Sequence, residues 1–247
     1  ADILVENVPN ARSMALGEGG TLFVGTRSGG TVYAVRDALG GNPTVLKFAE
    51  GLSMPNGIAL HEGALYVAEQ KRLIRFPAAE ASLDAPPPAE VVDPALPFKG
   101  ALHSWKYLAV GPDGKLYVPI GTPCNVCVEP GFGVILRMNP DGTGREVVAS
   151  GVRNSVGLAW HPRTRELWFT DNGRDMLGDD VPPCELNRVA RTGLDFGFPY
   201  CHGGTIADPQ FGSAGSCAAA VAPVQALAPH VAPLAVNAIR PSKQWTV

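Results

Sequence analysis

Four stretches of the chain repeat one pattern: an apolar run, a turn rich in Gly, Asp or Pro, then a second run of alternating large and small apolar residues. They are residues 13–25, 56–68, 107–119 and 156–170. Ala15, Ala59, Ala109 and Ala159 hold one position of the repeat, at intervals of 44, 50 and 50 residues. Gly19-Gly20, His61-Glu62-Gly63, Pro112-Asp113-Gly114 and Pro162-Arg163-Thr164-Arg165 supply the turns, so each unit reads as a β-hairpin. A third strand follows in residues 30–35, 72–76 and 134–138. Several short strands per unit, at a period of about 40–50 residues, predict a β-propeller with four-stranded antiparallel blades. The alternative is a β-sandwich with coincidental spacing.

At roughly 45 residues per blade, 247 residues hold about five blades, and four units are clear, ending near Arg191. Residues 218–233 are rich in Ala, Pro and Val, and residues 236–247 show no blade pattern. The expectation is an all-β, incomplete propeller over residues 1–234 with four to five blades, and a C-terminal tail over 235–247. An unclosed propeller leaves an unpaired sheet edge. Two chains are therefore expected to cover each other's open faces as a homodimer.

Composition narrows the function classes. Charged residues make up 17% of the chain, and 29 Gly with 23 Pro are too many breakers for a helical bundle. The net charge of −3 gives no basic field for nucleic acid. No run of eighteen apolar residues predicts a membrane span. The hydrophobic content of 45% suffices for a packed core and a small-molecule site. Five cysteines suit an oxidising compartment, periplasmic or secreted. The chain starts at Ala1-Asp2 without a charged-then-apolar leader, so any signal peptide is expected to have been removed already or to have been left out of this sequence. Cys124 and Cys127 enclose two residues and read as a local disulfide, a redox pair or half a metal site. No second such pair completes a four-thiolate zinc site. Cys201 and Cys217 would pin a loop and leave Cys184 over. His202 and His230 have no partner visible in the sequence.

Several segments resemble the soluble quinoprotein sugar dehydrogenases, in particular the sorbosone and aldose dehydrogenase-like branch. They are residues 103–117, from His103-Ser104-Trp105-Lys106, and 151–160, from Gly151-Val152-Arg153-Asn154. The others are 170–175, Thr170 to Asp175; 179–187, Asp179 to Asn187; and 195–204, Asp195 to Gly204. The resemblance implies a six-bladed propeller that binds pyrroloquinoline quinone and calcium. It implies sugar oxidation, in which a base takes the hydroxyl proton and a hydride passes to the quinone. His103 matches the base position, where a neutral imidazole is a suitable acceptor near pH 7. Arg153 and Asn154 match a pair that faces the cofactor, with Arg153 counted among the catalytic residues. Gly173 and Arg174 match positions that offer backbone carbonyls to calcium. Asp171, Asp180 and Glu185, with Asp179 and Asn172, are oxygen-bearing neighbours suited to a hard cation.

Two departures bear on that reading. The blades that would add further basic and aromatic groups around the cofactor have no counterpart, and Arg240 and Lys243 lie in the tail without a matching context. Cys184 stands where the family carries an acidic residue. A second class therefore stays open. Asn56, Asn154, Asp171 and Glu69 weakly resemble the axial calcium ligands of gluconolactonase-like and phosphotriesterase-like propellers, where the cation polarises a lactone or phosphoryl oxygen. A propeller that binds without catalysis is the third class.

Overall fold

The computed structural model describes residues 3–237. It is all-β, with four blades of β-propeller type, and the repeat register of the sequence is the register of the sheets. The chain divides into two compact units. One holds residues up to 123 together with 137–146, and the other holds 124–136 together with residues from 147 on.

In the first unit, the first blade has strands β1 (Ala11–Leu16), β2 (Leu22–Thr26), β3 (Val32–Arg36) and β4 (Thr44–Ala49) in sequential order. The second blade has β5 (Gly57–His61), β6 (Ala64–Ala68), β7 (Leu73–Phe76) and β8 (Glu90–Asp93), again in order. The β5–β6 turn is Glu62-Gly63, both with positive φ, the two-residue hairpin that matches strand twist. The core of this unit comes from the inward positions of both blades: Phe23, Val32, Phe48, Ile58, Leu65, Val67, Ile74 and Phe76 are buried together. Phe48 meets Phe23 and Phe76 edge-to-face at centroid distances of 5.2 and 5.3 Å. Such pairs contribute about 0.5–1.5 kcal/mol each beyond their burial.

The third sheet contains β9 (Ala109–Val110), β10 (Leu116–Ile120), β11 (Val134–Met138) and β12 (Glu146–Ser150). The fourth blade contains β13 (Gly157–Trp160), β14 (Leu167–Asp171) and β15 (Glu185–Val189). After it come β16 (Leu194–Asp195), the small hairpin of β17 (Cys201–His202) and β18 (Ile206–Ala207), and β19 (Gln225–Ala226). β16 returns to pair in parallel with β12, which makes the third sheet five-stranded, and β19 completes the fourth blade beside β15. In the second unit Phe169 packs edge-to-face on Phe196 at 4.9 Å.

Two glycines show how closely successive inner strands approach. A Cβ on Gly57 would lie 2.7 Å from Lys106 O and Leu108 N, where the chain runs into β9. A Cβ on Gly157, the same repeat position one hundred residues on, would lie 2.7 Å from the Ala235 backbone. Thr170 Oγ1 also donates to Pro233 O at 3.2 Å. Residues 233–237 thus flank the fourth blade as residues 106–108 flank the second. The tail residues beyond 237, Arg240 and Lys243 among them, lie outside the described residues.

Both expected disulfides, Cys124–Cys127 and Cys201–Cys217, are formed, and Cys184 is free and buried.

Candidate functional site

The second unit gathers most of the singled-out residues at the inner end of the fourth blade. Asp171 ends β14, fully sequestered, and its carboxylate accepts the backbone N–H of Arg153 at 2.8 Å and of Asn154 at 2.6 Å. It thereby ties the segment before β13 to the end of β14. Burial, reinforced by the nearby Glu185 carboxylate, pushes Asp171 up to about 7 against those two hydrogen bonds. Glu185, the first residue of β15, is raised by burial as well. It accepts from Asn187 Nδ2 at 2.9 Å and from Gly203 N at 2.8 Å.

Arg153 is 5% exposed, and all five of its N–H groups end on acceptors of its own unit. Nε donates to Asn125 O at 2.8 Å. Nη1 donates to Asn172 O at 3.2 Å and Gly173 O at 2.8 Å. Nη2 donates to Asn125 Oδ1 at 2.9 Å and Asp175 Oδ2 at 3.2 Å. The guanidinium fork is thus spent on the chain, and Gly173 O already receives one donor. Among the described residues the side-chain amide of the neighbouring, half-buried Asn154 has no hydrogen-bond partner.

Arg174 donates through Nη1 to Asp208 Oδ2, and His202 Nε2 meets the same oxygen at 2.9 Å. Asp208 is fully buried, and its other oxygen accepts N–H from Gln210 and Phe211 at 2.8 and 2.9 Å. Burial pushes Asp208 up, but the bonds from His202 and Arg174 outweigh it and hold the carboxyl at about 2. His202 is lowered by burial, against the pull of Asp208.

Asp171, Asn172, Arg153, Arg174, Glu185 and His202 line a cavity of about 10 Å³. That is about the room one water molecule needs. Asn172 donates through Nδ2 to Asn154 O at 2.8 Å, while its Oδ1 is buried without a partner. Asp179 and Asp180 are exposed on the loop before β15. Among the described residues no three His, Cys, Asp or Glu side chains stand together as a metal cluster.

The remaining candidates belong to the first unit. Glu69, which follows β6 as Asp171 ends β14, also caps a neighbouring loop: it accepts Ser53 N at 2.6 Å and pairs with Arg72. Asn56 is buried, donates through Nδ2 to Lys106 O at 2.8 Å, and has no partner for Oδ1. His103 is 8% exposed and carries a positive φ of 49°, uncommon for a residue with a Cβ. Its Nδ1 lies 2.8 Å from Thr122 O. That carbonyl only accepts, so Nδ1–H donates to it, which fixes the tautomer in which Nε2 is the basic nitrogen.

Sequence reasoning did not single out Asp208, Asn125 or Lys106. Lys106 is 1% exposed, no carboxylate among the described residues pairs with it, and burial lowers it to about 8. Its signal was a cation set among Trp105, Tyr107 and Leu108 just before β9. Asn125 was hidden inside the Cys124–Cys127 pair, and Asp208 sits in a loop with no motif.

A family model described as Glucose / Sorbosone dehydrogenase matches residues 68–243. An uncharacterized protein of Borreliella burgdorferi is 29% identical over 97% of this chain, and the chain spans 65% of that relative's length. The PQQ-bound aldose sugar dehydrogenase of Streptomyces coelicolor aligns with a TM-score of 0.70 and 24% identity, covering 95% of this chain and 73% of its own. The holo PQQ domain of pyranose dehydrogenase from Coprinopsis cinerea aligns with a TM-score of 0.79 and 16% identity, covering 94% and 68%. At these identities the two structures are similar in fold.

Proposed function

We propose, for a chain that belongs to the Glucose / Sorbosone dehydrogenase family, that it oxidises a sugar with pyrroloquinoline quinone as the electron acceptor and calcium as the accompanying cation. The observation that carries this reading is His103. A buried imidazole, held in a strained backbone conformation with Nδ1 on a carbonyl, is built as a base at Nε2.

Each unit, taken by itself, offers groups suited to an anionic, carbonyl-rich cofactor. In the first unit the buried Lys106 cation has no counter-charge among the described residues, and an unpaired buried charge is costly until an anion meets it. The Asn154 amide offers a donor and an acceptor for a quinone carbonyl. The orphaned Asn172 Oδ1 is an oxygen that a hard cation can use. Bound there, pyrroloquinoline quinone would supply the acceptor for the hydride. His103 takes the proton from the sugar hydroxyl, and the Thr122 carbonyl stabilises the imidazolium that results. Arg153 contributes its charge and orders the carbonyls of Asn172 and Gly173, while its fork stays closed to a carboxylate.

Two disulfides favour a periplasmic or secreted location. No helix among the described residues is long and apolar enough to cross a membrane.

Titrating the purified chain with quinone and calcium tests the proposal. Saturable binding at micromolar quinone and dye reduction with aldoses are expected. His103→Ala should retain binding while the rate falls about 10²–10⁴-fold, the usual contribution of a general base. Absence of saturable binding, or full turnover in the His103→Ala chain, refutes it.

A further inference from the structure

We infer that the Cys124–Cys127 ring is a positioning device for Arg153, with Asn125 as the residue that holds the guanidinium and the disulfide as its lock. Asn125 is the first residue inside the ring, and four hydrogen bonds use its polar groups. Its O and Oδ1 accept Arg153 Nε at 2.8 Å and Nη2 at 2.9 Å. Oδ1 also accepts Asp175 N at 2.8 Å, and Nδ2 donates to Asp175 O at 3.0 Å. Asp175 in turn meets Arg153 Nη2 at 3.2 Å. Asn125 therefore stands between Arg153 and the loop after β14 and takes two of the five N–H groups.

Such a grip works only if the Asn125 backbone is itself fixed, because its carbonyl and its side chain must meet one planar fork together. A covalent ring closed over four residues removes the conformations in which they do not. Cys124 and Cys127 are half-buried, within reach of a small reductant. A dithiol supplies two electrons and two protons. The sulfur–sulfur bond breaks, both cysteines become thiols, and the reductant closes its own disulfide. The open segment then loses its hold, and the Nε–Nη2 edge of Arg153 becomes available to an outside anion or carbonyl, while Nη1 stays on Asn172 O and Gly173 O. The consequence for the cofactor rests on the proposed function. The positioning itself does not.

The test follows Arg153 in the full chain by its rate of modification with phenylglyoxal, read by peptide mass mapping. Asn125→Ala keeps the backbone carbonyl but removes Oδ1, and should raise that rate about tenfold, as expected when one hydrogen bond to a charged group is lost. Asn125→Asp keeps the accepting oxygen and should stay near the parent. In the parent chain titrated with dithiothreitol, Arg153 modification should rise in step with alkylation of Cys124 and Cys127. It should not track Cys201 and Cys217. A flat rate while Cys124 and Cys127 become alkylated, or a rise that follows Cys201 and Cys217, overturns the inference. Should Asn125→Ala fail to fold, the titration of the parent decides alone. Quinone affinity is measured on the same samples. If Arg153 modification rises while affinity stays constant, the positioning stands and the contribution of Arg153 to quinone binding falls.

Discussion

Asp208 is the residue on which most buried charge converges. Arg174 and His202 share one of its oxygens, two backbone N–H groups share the other, and neither side chain has much access to water. Asp208→Ala leaves the Arg174 guanidinium buried and unpaired, which costs about 3–5 kcal/mol. A urea melt at pH 7 should show a loss of that size, and an unchanged midpoint would refute the pairing. The pH dependence has a definite sign. His202 is lowered from 6.5 and Asp208 is lowered from 3.8 to about 2, so each proton binds more weakly in the folded state. Stability from the pair is complete above about pH 6.5 and is lost as the pH falls. The unfolded His202 takes up its proton first, and Asp208 follows as pH approaches about 2. The Asp208→Ala chain should lose the part of this slope that lies below about pH 4. None of the triad's geometry was legible in the sequence. His202 stood without a visible partner because its partner lies six residues on, across the β17–β18 hairpin. Arg153, Asp171 and Glu185 were legible as a group. Their roles were not, because the carboxylates cap backbone N–H groups, which carry no sequence signal of their own.

At the scale of elements the repeat located β1–β3, β5–β7, β9–β11, β13 and β14, because its period is fixed by side chains that must alternate across each pleat, while β4, β8, β12 and β15 were expected only as members of four-stranded blades. The same alignment that equates Ala59 with Ala159 equates Glu69 with Asp171, and both prove to cap the loop that leads into their own blade. What the pattern did not show was β16, a two-residue strand that pairs in parallel with β12, since two residues carry no periodicity. The repeat also hides a steric demand. Gly57 is buried, takes an ordinary φ, and yet has no room for a Cβ because the next inner strand's backbone lies against it. Gly57→Ala should cost about 1–3 kcal/mol, the usual penalty for overpacking a rigid contact. Gly41→Ala, where no atom lies within 4 Å, should be close to neutral. Equal effects of the two substitutions on the urea midpoint would show that the inner strands can separate without cost.

For the whole molecule, the family and the blade type were legible from the sequence, whereas assembly follows from surface that no motif encodes. The first blade exposes apolar side chains: Met14 is 65% and Leu16 51% exposed on β1, an edge strand of its sheet. Ile3 and Leu4, at 77% and 47%, add to the exposed apolar surface of this unit. Scattered apolar residues need no partner, but an apolar edge strand invites another chain. We therefore propose that a second copy of the chain covers this blade. Met14→Lys combined with Leu16→Lys places two cations on that edge and leaves the buried core of the blade untouched. Sedimentation should show the parent as a dimer and the double variant as a monomer with the same circular dichroism. A parent chain that sediments as a monomer at micromolar concentration rejects self-association. A dimer that survives the double substitution places the interface elsewhere, and the exposed β1 edge then has to be explained by a partner of another kind.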